Sequence, residues 1–288
     1  MSEHADGFAG GGAHGPARTA PLTPLLESCT VLANDMLAPG VALLRLAAAR
    51  IAGAVRPGQF VHLALPALEA HPLRRPLSVF CADAESGSIE LVCQAVGEGT
   101  RHLLAAAPQT TIDCIGPVGR GWSPPPAARR VLLVGGGIGA APLYLLAREL
   151  TTRVAHDSRV ASEVHLVLGA QSARALVCKE AFARLLAPDA LHVTTDDGSE
   201  GVKGLTTEFA DWLLAQQCFD YVATCGPAPM MAAIARLAAQ NNVACEVSLE
   251  RRMACGIGAC LSCNVDMRDG VRRACVDGPV FDAQEVSW

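Results

Sequence analysis

Near the C-terminus, the stretch MACGIGACLSCNV places Cys255, Cys260 and Cys263 at the spacing C-x4-C-x2-C, and Cys275 follows after eleven further residues. Thiolates are soft metal ligands, and the spacing of the first three is that of plant-type [2Fe–2S] sites. Gly256 and Gly258 would let such a loop wrap tightly and turn backbone N–H groups toward sulfur, which tunes a cluster's potential. A structural zinc site is the main alternative, because an x2 spacing also suits tetrahedral zinc. Zinc sites more often use two C-x2-C knuckles, and this stretch has one, so iron–sulfur is favoured.

A second constellation is rich in glycine. In RVLLVGGGIGAAPLY, Gly135, Gly136, Gly137 and Gly139 follow a β-like run and open a helical one. Glycines there let a backbone approach a pyrophosphate, and the free N–H groups of a helix start favour negative charge. The tight turn alone would also require glycine. In TCGPAPMM, Cys225 and Gly226 end a later strand at the same sheet edge, where ligands of parallel sheets collect. Cys225 there either lies near a reacting nicotinamide or is a buried thiol. No clear ribose-binding acid follows the first strands; Ser172 and Arg174 stand in its place and leave NAD versus NADP open.

The third constellation lies earlier. LRRPLSVF sets Arg75 and Ser78 three apart around Pro76, and VGEGTRHLL gives another glycine-to-helix junction with Thr100 as a natural cap. An arginine and a hydroxyl suit an anionic diphosphate. Two anion-ready sites in different parts of the chain imply two nucleotides. A nicotinamide exchanges two electrons at once and an iron–sulfur cluster one, so a chain with both needs a flavin between them. The early sites then read as an FAD site.

These residues need elements to position them. From Pro24 to Trp122 the chain offers short β-like runs (GQFVHLAL, RPLSVFCA, SIELVCQAV, TTIDCIG), as in an antiparallel sandwich or barrel. A stiff break, SPPPAARR, follows. Strands then alternate with helices, the signature of a parallel sheet covered on both faces. The expected fold is a multidomain β plus α/β protein, with a flexible tail over 1–22, an antiparallel FAD-binding barrel over 23–124, a parallel-sheet nicotinamide-binding domain over 125–245, and a small iron–sulfur domain over 246–288.

Composition narrows the class. The 288 residues are 51% hydrophobic with a formal net charge of −5, which gives no footprint for nucleic acid. The N-terminus lacks an apolar secretory core. The nearest approach to a membrane span, VALLRLAAARIAGAV, is interrupted by Arg45 and Arg50. A cytoplasmic protein is expected. Of the 12 cysteines, those outside the C-terminal group are scattered, mostly in apolar segments, and read as buried free thiols. No residue stands out as a general base, so no catalytic residue is expected in this chain.

In order, the motifs PGQF, RRPLS, VGEGT, GPVGRGW, GGGIGAAPLY, DDGSEGVKG, CGPAPMM, CGIGACLSC and CVDGPVF resemble the electron-transfer subunits of the two-subunit, NAD-dependent dihydroorotate dehydrogenases, within the ferredoxin-reductase-like flavoproteins. The likeness runs from about Leu25 to Phe281. It implies that Arg75, Pro76, Leu77 and Ser78 form the flavin-binding strand and that Gly99 and Thr100 form the FAD-phosphate loop. Val92, Cys93 and Gln94 would run beside the flavin, mainly through backbone contacts. Cys255, Cys260, Cys263 and Cys275 would be the four cluster ligands. A separate FMN-containing subunit would oxidise dihydroorotate to orotate, and electrons would pass through the cluster and FAD to NAD+, in a two-plus-two heterotetramer. Leu77 departs from the wider group, which usually has tyrosine there. A subunit of another NAD(P)H-linked flavin and iron–sulfur reductase, of ferredoxin:NADP or hydrogenase type, is the alternative.

Overall fold

The computed structural model describes residues 23–65, 72–156 and 163–288; the tail expected over 1–22 lies outside them. Its first unit comprises β1 (Leu25–Ala38), β2 (Val41–Ala47), α1 (Ala49–Ala52), β3 (Phe60–Leu63), β4 (Arg75–Asp83), β5 (Ser88–Gln94), α2 (Glu98–Leu104) and β6 (Thr111–Val118). The six strands close into an antiparallel barrel in the order β1-β2-β5-β4-β3-β6. Inward-pointing residues such as Leu44, Leu46, Val61, Leu63, Leu91 and Ile112 fill it. The stretch that came nearest to a membrane span is β2 and α1. Arg45 lies on the outer face of β2 and pairs with Glu90 of β5 at 2.5 Å, opposite it in register.

After the proline-rich break come β7 (Arg130–Gly136), α3 (Ala141–His156), β8 (Glu163–Ala170), α4 (Lys179–Leu185), β9 (Leu191–Thr195), β10 (Val202–Lys203), α5 (Thr206–Gln216), β11 (Tyr221–Cys225), α6 (Ala228–Gln240) and β12 (Ala244–Ser248). The alternation read from the sequence is realised as a parallel sheet, β10-β9-β8-β7-β11-β12, with helices on both faces. The chain leaves β7 toward one side and returns on the other as β11, so the carboxyl ends of these two strands form the topological switch point.

The last segment forms the hairpin β13 (Asn264–Met267) and β14 (Gly270–Arg273), then β15 (Val280–Asp282). β15 lies antiparallel on β12 and becomes the seventh strand of the sheet. Position 245/246, where a boundary was expected, falls inside β12, because that strand is needed to bind both β11 and β15. One hydrophobic core runs through Phe60 of the barrel, Val247 and Phe281 of the sheet, and Cys263 and Cys275 of the tail.

A second core joins barrel to sheet. Phe80 stacks on Tyr144 with centroids 4.3 Å apart, and Tyr144 meets Phe182 edge-on. Arg148 of α3 donates to the Cys81 sulfur at 2.8 Å and to the Ala82 carbonyl, and the Trp122 indole donates to Pro142 at 3.2 Å. In the linker, Ser123 donates through its backbone and hydroxyl to Glu246, which also accepts from the Tyr221 hydroxyl.

Candidate functional site

The four thiols of the tail stand in two pairs. On the exposed side the Cys255 sulfur accepts from the backbone N–H groups of Ile257 and Cys260, at 3.5 and 3.4 Å. The Cys260 sulfur lies 3.2 Å from the Ser262 hydroxyl. The hydroxyl and backbone of Ser262, then Cys255, lower the Cys260 thiol to about 6, toward the thiolate form that ligates metal. Cys263 and Cys275 are buried, and burial together with the adjoining Cys263 pushes Cys275 upward. Among the described residues, no three His, Cys, Asp or Glu side chains converge on a point able to hold one ion. Backbone N–H groups aimed at a loop sulfur suit a thiolate-bound cluster.

Folding brings the early motifs together. Arg75 opens β4, and its guanidinium lies against Gly99 so closely that a Cβ on that glycine would meet Nε at 2.5 Å. The Thr100 hydroxyl accepts from the N–H groups of Val96 and Gly97 at 2.9 and 3.0 Å and donates to the Gly97 carbonyl. It fixes the loop from within rather than facing outward. Leu77 packs on the barrel core, Cys93 lies inside it with its thiol pushed up to about 12 by burial, and Val92 faces the barrel–sheet junction. Gln94 is exposed and Ser78 half-buried. Leu77 and Cys93 can therefore face a ligand with backbone alone, whereas Arg75, Pro76 and Ser78 keep side chains outside the core.

At the switch point, Cys225 pairs with Gly135 in register. A Cβ on Gly139 would stand 2.7 Å from the Cys225 carbonyl, and one on Gly136 would stand 2.8 Å from the Met230 sulfur. Those glycines let two strand-to-helix turns pack together. Gly137, at φ +56, has open space before it and is the one positioned for a ligand to approach. The sequence did not separate these roles. A short 3-10 turn over Gly137–Ala140 precedes α3. Cys225 is buried, and burial pushes its thiol up to about 12, so it is an uncharged group.

A family model described as the iron-sulfur cluster binding domain of dihydroorotate dehydrogenase B matches residues 250–287. An oxidoreductase FAD-binding domain matches 28–122 and an oxidoreductase NAD-binding domain 133–236. The dihydroorotate dehydrogenase B (NAD(+)) electron transfer subunit of Desulforamulus reducens is 38% identical over 266 residues, covering 90% of this chain and 97% of the relative. The chain belongs to this family of electron-transfer subunits. Its counterpart in Bacillus caldolyticus is 38% identical and covers 90% and 98% of the two chains. The solved structure of an NADH-dependent reduced ferredoxin-NADP oxidoreductase superposes with a TM-score of 0.76 at 31% identity, over 90% of this chain and 89% of that one.

This electron-transfer subunit is thus an oxidoreductase component with FAD-, NAD- and iron–sulfur-binding domains. The residues present fit those groups. Two thiol pairs with sulfur-directed N–H groups suit a cluster, and an arginine on a glycine loop suits a diphosphate. One residue of this electron-transfer subunit, His62, escaped the sequence reading. It lies in FVHL of β3, fully buried, beside Pro76 of β4 and against Gly256 of the cysteine loop. Burial first, and then the charges of Arg74 and Arg75, lower its pKa to about 4. The signal available was that FVHL alternates no polar residue except this histidine, as a strand covered on both faces would.

Proposed function

We propose that this chain accepts electrons from a dihydroorotate-oxidising, FMN-containing partner subunit and delivers them to NAD+, within a cytoplasmic two-plus-two heterotetramer. Cys255, Cys260, Cys263 and Cys275 hold the [2Fe–2S] cluster. Arg75, Pro76, Leu77 and Ser78, with Val92, Cys93 and Gln94, line the flavin, and Gly99 and Thr100 shape the loop at its phosphates. Gly135, Gly136, Gly137, Gly139, Cys225 and Gly226 form the nicotinamide-binding edge. When bound, the cluster and FAD supply the exchange between single-electron and two-electron chemistry.

The carrying observation is that the cysteine loop packs on the barrel immediately beside β4, with Gly256 against His62 and His62 opposite Pro76. Arg75 and Gly99 then orient an anionic diphosphate, and the turns at Gly137 and Gly226 orient a second nucleotide. Exposed Ile257 and Leu261 flank exposed Cys260, an apolar rim suited to a partner surface. No helix among the described residues is long and apolar enough to cross a membrane. The relatives' names carry dihydroorotate and NAD(+). The likeness to the ferredoxin-NADP oxidoreductase structure supports the second reading, a subunit of another NAD(P)H-linked complex. The test is visible absorption of the anaerobic complex, isolated with its native partner. Bleaching by dihydroorotate, reversed by NAD+, is the expected result; bleaching by NADH or NADPH but not by dihydroorotate selects the second reading.

A further inference from the structure

His62 is fully enclosed, and neither ring nitrogen has a hydrogen-bond partner. Buried polar atoms left alone are costly and rare, so an imidazole in this condition needs a reason. Its place in the strand supplies one. Val61 and Leu63 on either side point into the barrel core, so alternation along β3 sends the His62 ring outward. There it meets the cysteine loop, and a Cβ on Gly256 would stand only 2.5 Å from Nδ1. Across the strands His62 faces Pro76, the neighbour of Arg75. The backbone carbonyls of Arg74 and Cys255 both face the ring without completing a hydrogen bond to it.

We propose that His62 is a positioning residue for electron exchange: its ring spaces the Cys255 loop from the Arg75 strand, and in the assembled complex its N–H closes a hydrogen bond onto one of the two flanking carbonyls. The proposal rests on the reading of Cys255 as a cluster ligand and of Arg75 as part of the flavin strand. Electron exchange between two centres weakens steeply with separation, so the thickness and rigidity of what lies between their two supports governs it. Donors behind the ligands also tune a metal centre. A plain packing role would be better served by phenylalanine or leucine, which fill the space and bury no unpaired nitrogen.

The test compares His62→Phe, which keeps a ring and removes the donor, with His62→Gln, which keeps a donor. Each is prepared anaerobically as the full complex. Iron content, the EPR spectrum of the reduced cluster and its midpoint potential are measured. Stopped-flow traces with NADH then resolve flavin reduction from onward reduction of the cluster. In His62→Phe the ratio of the second rate to the first is expected to fall about tenfold, with a changed EPR spectrum and potential, and His62→Gln is expected to recover most of this. Wild-type ratio, spectrum and potential in His62→Phe, or equal damage in both variants, overturns the proposal. Should His62→Phe lose its iron, His62→Met, also without a donor, replaces it. Loss in both Phe and Met with retention in Gln supports the donor, and loss in all three overturns it. A wild-type complex lacking iron and a cluster EPR signal would instead overturn the reading of Cys255 itself.

Discussion

Replacing Cys260 by serine keeps the side chain's size and removes a thiolate at the exposed end of the cysteine loop. Because Cys260 is exposed, the fold should tolerate the change. The Cys260→Ser complex is expected to keep its FAD, lose the cluster's EPR signal and lose dihydroorotate-driven reduction of NAD+; full NAD+ reduction by that variant would refute the relay. At this scale the sequence was most informative where chemistry depends on spacing along the chain. The four cysteines proposed as ligands could be singled out from C-x4-C-x2-C and the later Cys275 because one short loop carries most of the set. The glycines could be found as turns but not sorted, since whether Gly136 and Gly139 admit a ligand or a neighbouring turn depends on α6 and its Met230. His62 was missed because its significance lies in a contact with a loop nearly two hundred positions away.

Among elements, β7 to α6 were legible because buried parallel strands and amphipathic helices have contrasting periods. The exceptions were β1, β2 and α1, the two-residue β10, and β12 to β15, whose short runs sit among turn residues. β15 carries Phe281, which is buried in the core shared by sheet and tail. Phe281→Ala is expected to cost about 3–5 kcal/mol in urea unfolding, whether or not iron is bound. An unchanged midpoint would mean the tail is an independent appendage.

The start of β7 is fixed differently. The Asp220 carboxylate accepts from the backbone N–H groups of Arg129 and Arg130 at 2.7 and 2.9 Å, and these bonds lower its pKa from 3.8. A carboxyl lowered by folding contributes stability that is present above its ordinary value and lost as pH falls through the lowered one. Asp220→Asn should therefore be less stable at pH 7 and show a flatter decline below about pH 4, read from urea midpoints across pH 3 to 7.

At the scale of the whole molecule, two shared hydrophobic cores and the pairing of β15 with β12 hold the three units together, and a few side chains fix how barrel and sheet meet. Tyr144 is sandwiched between Phe80 of the barrel and Phe182 of the sheet domain, and Arg148 ties α3 to β4. If that junction fixes how a nicotinamide edge meets a flavin strand, Tyr144→Ala should leave FAD content intact and slow flavin reduction by NADH about tenfold or more, because small misplacements of reacting groups are costly. Wild-type rates in stopped flow would mean that the junction only adds stability. The overall plan, barrel then parallel sheet then cysteine tail, was readable from composition zones. What could not be read was that the third zone folds back to complete the second.

That return has a consequence for synthesis. Translation delivers β12 before β15, and until β15 emerges the outer edge of β12 presents unpaired N–H and C=O groups beside apolar Val247. An exposed strand edge of this kind is a template for pairing with another chain. Nascent or prematurely terminated copies that stop short of Val280 therefore carry a sticky margin that finished copies do not, and polysome crowding or a nonsense codon late in the gene would be felt first as aggregation rather than as lost redox chemistry.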